Sequence, residues 1–291
     1  MTKNRLVLML LAVLALALLV GCGSDDSSSD EGSGDETAVA AAECTPESLD
    51  TFKDGVLTVG TDTPAYPPYF ENDDPTNGRG FESAVAYAIA SELGFEDSQV
   101  EWAKVPFNAS YAPGPKKFDF DVNQISITPP CEKVVTFSTP YYTANQAVLV
   151  AKGSDLEDVT SLDQLKDVTI GVQVGTTSLE AVRDEIEPTN DPRVYDNSND
   201  VVTALKQGQV DAVVLDLPTA IYLRDAELPG SSVIGQFEAD GGDQWGALMA
   251  KDSSLASCVN QAIETLEENG RLEELTDKWM SESASAPKLD D

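Results

Sequence analysis

From Gly55 to Asp216 one pattern recurs: a short apolar run, a turn rich in Gly, Thr, Asn or Pro, and a stretch with helical spacing. GVLTVGTD (Gly55 to Asp62) reads as a buried strand entering a turn, TPAYPPYFENDDPTNGRG as a loop, and FESAVAYAIASELGF as a helix stopped by Gly94. VEWAKVPF and FDFDVNQISI supply two further strands. A second series follows, with VTIGVQVGTTSLEAVRDEI as strand, Gly-Thr-Thr turn and helix, and NDVVTALKQGQVDAVVLDLPTAIYLRD as helix, strand and helix. Strands alternating with helices predict an α/β fold with mainly parallel sheets. In such sheets ligands sit beyond the carboxyl ends of strands, where both GTTS and LDLP fall.

Local signals sharpen this reading. The alternating run FDFDVNQISI predicts a strand ending at Thr128, with Gln124 and Ser126 on one face. Thr128 is a suitable cap and Pro129 a suitable first helical residue, which places Cys131 in the first turn of a short helix. Ser161 and Gln164 have capping-box spacing. WGALMAKD is a late strand, two amphipathic helices split at Gly270 follow, and residues 283–291 read as a frayed tail.

The first 44 residues are not part of a folded core. Lys3 and Arg5 precede an apolar run from Leu6 to Val20, the form of an export signal, and the Leu19–Cys22 sequence Leu-Val-Gly-Cys resembles a bacterial lipobox. That resemblance implies cleavage before Cys22, its lipidation, and a chain held at the outer face of the cytoplasmic membrane. A plain signal anchor is the alternative. Residues 23–44, rich in Ser, Gly and acid and without an aromatic side chain, have the composition of a disordered tether. The net charge of −33, from 51 acids against 18 bases, argues against nucleic-acid partners and against adhesion to anionic lipid, so membrane attachment would be through the lipid alone. With no histidine, the commonest general base and metal ligand is missing, and no metal or cofactor is expected. Once Cys22 is set aside, Cys44, Cys131 and Cys258 allow one disulfide, whose partners the sequence leaves open.

Taken in order, GTD, YPPY, GFESAVAYAIASELGF, ISITPPCEKVVTFSTPYY, GVQVGTTS, GQVDAVVLD and the closing DKWM resemble the extracellular solute-binding proteins, family 3, that serve polar amino-acid ABC importers. The resemblance runs from about residue 50 to about 282. It implies a type II periplasmic-binding-protein-like fold: lobe 1 from 45–142 plus 244–282, lobe 2 from 143–243, and two strand crossovers as the hinge. It also implies a monomer that delivers a small polar solute to a membrane permease. On that assignment a Cys44–Cys258 bridge is favoured, stapling the start of lobe 1 to its last helical segment.

The family's site residues map as follows. Tyr66, with Tyr69 beside it, matches the aromatic cover on the ligand. Asn123, Gln124 and Ser126 match the polar groups before the Thr-Pro turn. Thr176 and Thr177 match the turn that binds the α-carboxylate, and Asp216 matches the acid that pairs with the α-ammonium. One position departs. Where the family has Thr-Pro-Glu-Arg, with the Arg gripping the α-carboxylate, this chain has Thr-Pro-Pro-Cys, so Cys131 stands at the anchor. A guanidinium fork matches a carboxylate as no other side chain does. Three explanations follow: a relocated base, with Lys116 and Arg79 foremost; an amine or other cationic ligand without a carboxylate; or a site rebuilt around a Cys131 disulfide. An enzyme of the same fold, such as a dehydratase, is the remaining alternative, but no His or paired base accompanies the thiol.

Overall fold

The computed structural model describes residues 44–239, 242–281 and 286–290; the expected signal, lipidation site and most of the tether lie outside them. In chain order the elements are β1 (Leu57–Thr61), α1 (Phe81–Glu92), β2 (Val100–Lys104), α2 (Phe107–Ser110), β3 (Phe120–Asp121), α3 (Pro129–Glu132), β4 (Val135–Ala144) and β5 (Gln146–Val150). They continue with β6 (Ile170–Gln173), α4 (Thr177–Ala181), β7 (Arg193–Tyr195), α5 (Ser198–Lys206), β8 (Ala212–Asp216), α6 (Leu217–Tyr222), β9 (Ser232–Phe237), β10 (Asp243–Ala250), α7 (Ala256–Glu268) and α8 (Arg271–Met280). No helix among the described residues is long and apolar enough to cross a membrane.

The strands form two sheets, ordered β2-β1-β3-β10-β4 and β7-β6-β8-β5-β9. The expectation of mainly parallel sheets needs correction, because half of the strand pairs are antiparallel: those made by β10 in the first sheet and by β5 in the second. The reason is topological. These two strands begin where the chain crosses between sheets, so they run away from the edge at which β3, β4 and β8 end. Sheet membership changes across Asn145, and again between Phe237 and Asp243.

Each sheet is covered on both faces. Leu57, Val59, Phe81, Ile89, Trp245, Val259 and Ile263 pack on one face of the first sheet, and Val105, Phe118, Ile125, Val135 and Leu248 on the other. Val148, Val150, Ile170, Val172 and Val214 fill one face of the second, and Leu149, Val201, Leu205, Val213 and Ile221 the other. Two-sided burial explains why β1 and β5 read as continuous apolar runs rather than alternating ones. The start of α1 is set by a close approach. Phe81 and Glu82 donate backbone N–H bonds to the Pro68 and Tyr69 carbonyls (2.8 and 3.1 Å), and a Cβ at Gly80 would lie 2.4 Å from the Tyr69 oxygen.

Two local expectations fail. The strand predicted to reach Thr128 stops after Asp121, because Gln124 turns into the left-handed region (φ 49°) and its backbone N–H leaves the ladder for the Glu82 carboxylate at 2.7 Å. Ser126 rejoins the sheet only through a bridge to Trp245. The tail predicted to fray is docked over 286–290. Leu289 is 8 % exposed within the core of the second sheet, and backbone bonds tie Pro287, Leu289 and Asp290 to Gln236, Thr160 and Leu162 at 2.8–2.9 Å. One leucine in a polar segment carries no periodic signal, so only its tertiary partners reveal it.

Cys44 and Cys258 form the disulfide, across a sequence separation of 214, and Cys131 is a free, half-buried thiol. Loop-closure entropy predicts that replacing both bridged cysteines with serine lowers unfolding free energy by about 4–5 kcal/mol, read from the urea midpoint. Leu289→Ala should cost about 2–3 kcal/mol in the same assay; a change within error would mean that the tail is not part of the folded core.

Candidate functional site

A cleft of ≈ 750 Å³ lies between the two sheets, lined by segments that follow β1, β3, β6 and β8. The two halves touch across it. The Tyr66 hydroxyl donates to Asn199 Oδ1 at 2.5 Å, and its ring sits 5.8 Å from that of Tyr222. The Tyr69 hydroxyl shares a 2.7 Å hydrogen bond with Thr219, while its ring, 1 % exposed, packs edge-on against Trp245. Tyr66 is therefore the open aromatic wall, and Tyr69 is a buried strut that presents mainly its polar tip. A second hollow, ≈ 800 Å³, lies outside the first sheet beside Tyr87, Ser91 and Arg271, away from these converging groups.

Acid dominates the cleft. Asp62, Glu180, Asp200 and Asp216 line it, against one base, Arg183. Asp216 terminates β8 and accepts a 2.8 Å bond from Gln146 Nε2. The same amide donates to Asp243, the first residue of β10. Burial, then the neighbouring Asp243 charge, pushes the Asp216 carboxyl well above the usual range, against the pull of the Gln146 bond. Burial likewise raises Asp243, against hydrogen bonds from Thr177, Gln146 and Ser126. Behind Gln124 lies Glu82, fully buried, which accepts from the Tyr141 hydroxyl at 2.6 Å and from the backbone and side-chain amides of Gln124. Burial lifts Glu82 to about 7, with those three bonds opposing.

The structure brings Tyr66, Tyr69, Asn123, Gln124, Ser126, Thr176, Thr177, Asp216 and Cys131 to one cleft. It does not bring Lys116 or Arg79 there. Lys116 Nζ is held by the Ser110 and Ala112 carbonyls, the former at 2.5 Å, and Arg79 pairs with Glu71 on the surface. Neither serves as a relocated anchor in this arrangement. The shared face expected for Gln124 and Ser126 is also corrected, since the left-handed turn at Gln124 points its amide back to Glu82. The Thr176 hydroxyl donates to the Gln173 carbonyl at 2.9 Å, so it is turned into its own loop.

Sequence reasoning missed Gln146, Asp243, Asn199, Thr219 and Asp62. Asp62 stands in the GTD segment and could have been proposed from its place at a strand end; its carboxylate accepts backbone N–H bonds from Thr63 and Phe107. The others are brought to the cleft by crossovers and by the opposite lobe, and no spacing rule reports that.

The family-level profile of bacterial extracellular solute-binding proteins, family 3, matches residues 57–282. The chain is 30 % identical to the L-cystine-binding protein TcyJ of Escherichia coli (strain K12) over 274 residues, 93 % of this chain and 94 % of that protein. It is 30 % identical to the arginine-binding extracellular protein ArtP of Bacillus subtilis (strain 168), over 96 % of this chain and 98 % of the relative. Among solved structures, an ancestral arginine-binding protein bound to glutamine superposes with a TM-score of 0.65 at 32 % identity, covering 78 % of this chain and 98 % of that one. A matching profile across most of the chain, full-length relatives and the two-sheet cleft agree: this chain belongs to the bacterial extracellular solute-binding proteins, family 3.

Proposed function

We propose that the chain is the substrate-binding component of an ABC importer, exported and lipid-anchored through Cys22, acting as a monomer that closes its lobes around an amino acid and presents it to a membrane permease. The observation that carries this reading is Asp216. It stands at a strand end in an acid-rich cleft, with Gln146 as its hydrogen-bond partner and no base paired to it among the described residues. A carboxylate enclosed without a counter-ion is costly, and a solute's ammonium group is the natural partner. Full-length relatives named for arginine and cystine binding support an amino-acid ligand and a binding rather than catalytic role.

The carboxylate end is held differently from the family pattern. Cys131 offers no guanidinium, and the bases suggested in its place are engaged elsewhere. What faces the cleft instead is the unpartnered Asn123 amide nitrogen, together with Arg183 at the mouth. This set is weaker than a bidentate fork, and four acids surround it. The balance favours solutes with net positive charge, and it keeps a second reading in view, an amine without a carboxylate.

Calorimetry on refolded protein stripped of carried-over solute decides between the two, with L-arginine, L-glutamine and L-cystine beside the corresponding amines and amides. Binding of an amino acid but not its amine supports the main reading; equal or tighter binding of the amine supports the second. Asp216→Asn should weaken the preferred ligand by about 2–5 kcal/mol, a loss of tenfold or far more, because it removes the charge that the ammonium meets. Cys131→Arg should raise affinity for the amino acid over its amine by about tenfold or more, and no change would show that the carboxylate is read elsewhere.

A further inference from the structure

Asp243 lies just behind the cleft lining and is 4 % exposed. Its carboxylate and that of Asp216 share the two N–H groups of the Gln146 amide. It also takes hydrogen bonds from Thr177 and Ser126, hydroxyls that come from opposite lobes. Those two hydroxyl oxygens lie 3.4 Å apart. That is longer than the ~2.5–3.0 Å of an O–H···O bond, so each hydrogen points at Asp243 rather than at the other hydroxyl.

A hydroxyl has one hydrogen. With it committed to Asp243, Ser126 and Thr177 offer the cleft only lone pairs. The Thr176 hydrogen goes to Gln173, and the Gln124 amide goes to Glu82. A carboxylate brought to this floor would meet acceptors on nearly every side, with the Asn123 amide as the exception. An ammonium would meet Asp216 and two oriented hydroxyl oxygens.

We propose that Asp243 is a positioning residue for solute recognition: by fixing the Ser126 and Thr177 hydroxyls as acceptors and sharing Gln146 with Asp216, it makes this end of the cleft select a primary ammonium group over a carboxylate. The inference rests on the cleft being the solute site. The groups facing the pair are Asp216 itself from β8, Glu82 from α1, Tyr69 from the loop after β1 and Tyr111 after α2, all acidic or neutral. Both carboxyls are raised by burial, so the empty site holds protons that an arriving cation displaces. Proton release on binding is a readout that a purely structural role for Asp243 would not move.

The test is calorimetry on the full-length chain in two buffers of different ionisation enthalpy. The probes are L-arginine, agmatine (the same skeleton without the carboxylate) and Nα-acetyl-L-arginine (without the free α-ammonium). Wild type should bind agmatine within about tenfold of arginine and the acetylated probe about a hundredfold more weakly, since only the latter leaves the acceptors unpaired. Agmatine should release protons near pH 7. In Asp243→Asn the release should fall, and the preference for agmatine over the acetylated probe should shrink by about tenfold. Agmatine bound by wild type without proton release, or a variant that keeps both properties, overturns the proposal.

If wild type binds none of the three, the solute reading fails for this class, and Asp243 is judged on ligand-free melting. Carboxyls raised on folding stabilise at low pH, and that contribution is lost as pH climbs from their unfolded values through their folded ones. Wild-type melting temperature should therefore fall with rising pH above about 4, and the fall should be shallower in Asp243→Asn; an unchanged slope overturns the pairing.

Discussion

The Gln146 side-chain amide occupies the point on which the rest of the site depends. It begins β5, immediately after the chain crosses from the first sheet to the second. One of its hydrogens reaches Asp216, at the end of β8, and the other reaches Asp243, at the start of the returning strand β10. Both crossovers and the carboxyl end of the central strand are thus tied to one nitrogen. Two carboxylates this close repel in a medium of reduced dielectric, and a neutral amide moderates that repulsion without cancelling it. The residual imbalance makes the closed cleft receptive to a cation.

The topology explains why the imbalance sits there. β5 and β10 begin at the cleft edge while β3, β4 and β8 end at it, so side chains at the start of one strand stand beside side chains at the end of its neighbour. Gln146 pairs with Asp216 in register, and Asp243 pairs with Ala144 just before the crossing. A mixed sheet with one reversed strand places first and last residues together, whereas a purely parallel sheet would carry the starts of its strands to the far edge. Closing two such lobes adds Thr177 from one side and Ser126 from the other. Closure then completes the arrangement rather than merely covering it.

Much of the fold was legible, since it depends on local rules. The Thr128 cap over Cys131, the Ser161–Gln164 capping box, the split at Gly270 and the helix opening after Asp216 all stand where the sequence places them. Each is written within a few residues. The failures were non-local. Gln124 alternates correctly for a strand, but a buried carboxylate on α1 takes its amides. Leu289 stands alone in a polar tail, but the second core has room for it and Gly235 leaves the space. For the site, the aromatic, Thr-Thr and Asp216 positions could be carried over by resemblance. Gln146 and Asp243 could not, because only the two crossovers make them neighbours.

Replacement of the expected arginine by Cys131 is easier to understand in this light. A buried guanidinium beside Asp216, Asp243 and Glu82 would have internal carboxylates within reach and would compete with the solute's ammonium for them. A cysteine carries no charge into the cleft and leaves that acid uncompensated, so the counter-ion has to arrive with the ligand. A cationic solute then does two things at once. It supplies the charge that the enclosed carboxylates lack, and it removes the repulsion that opposes bringing the lobes together. Capture and closure become one electrostatic event, with the differential affinity for the closed state coming from the pairing itself. The excess acid elsewhere, reflected in the net charge of −33, adds a long-range field that draws cations toward the mouth before any contact forms.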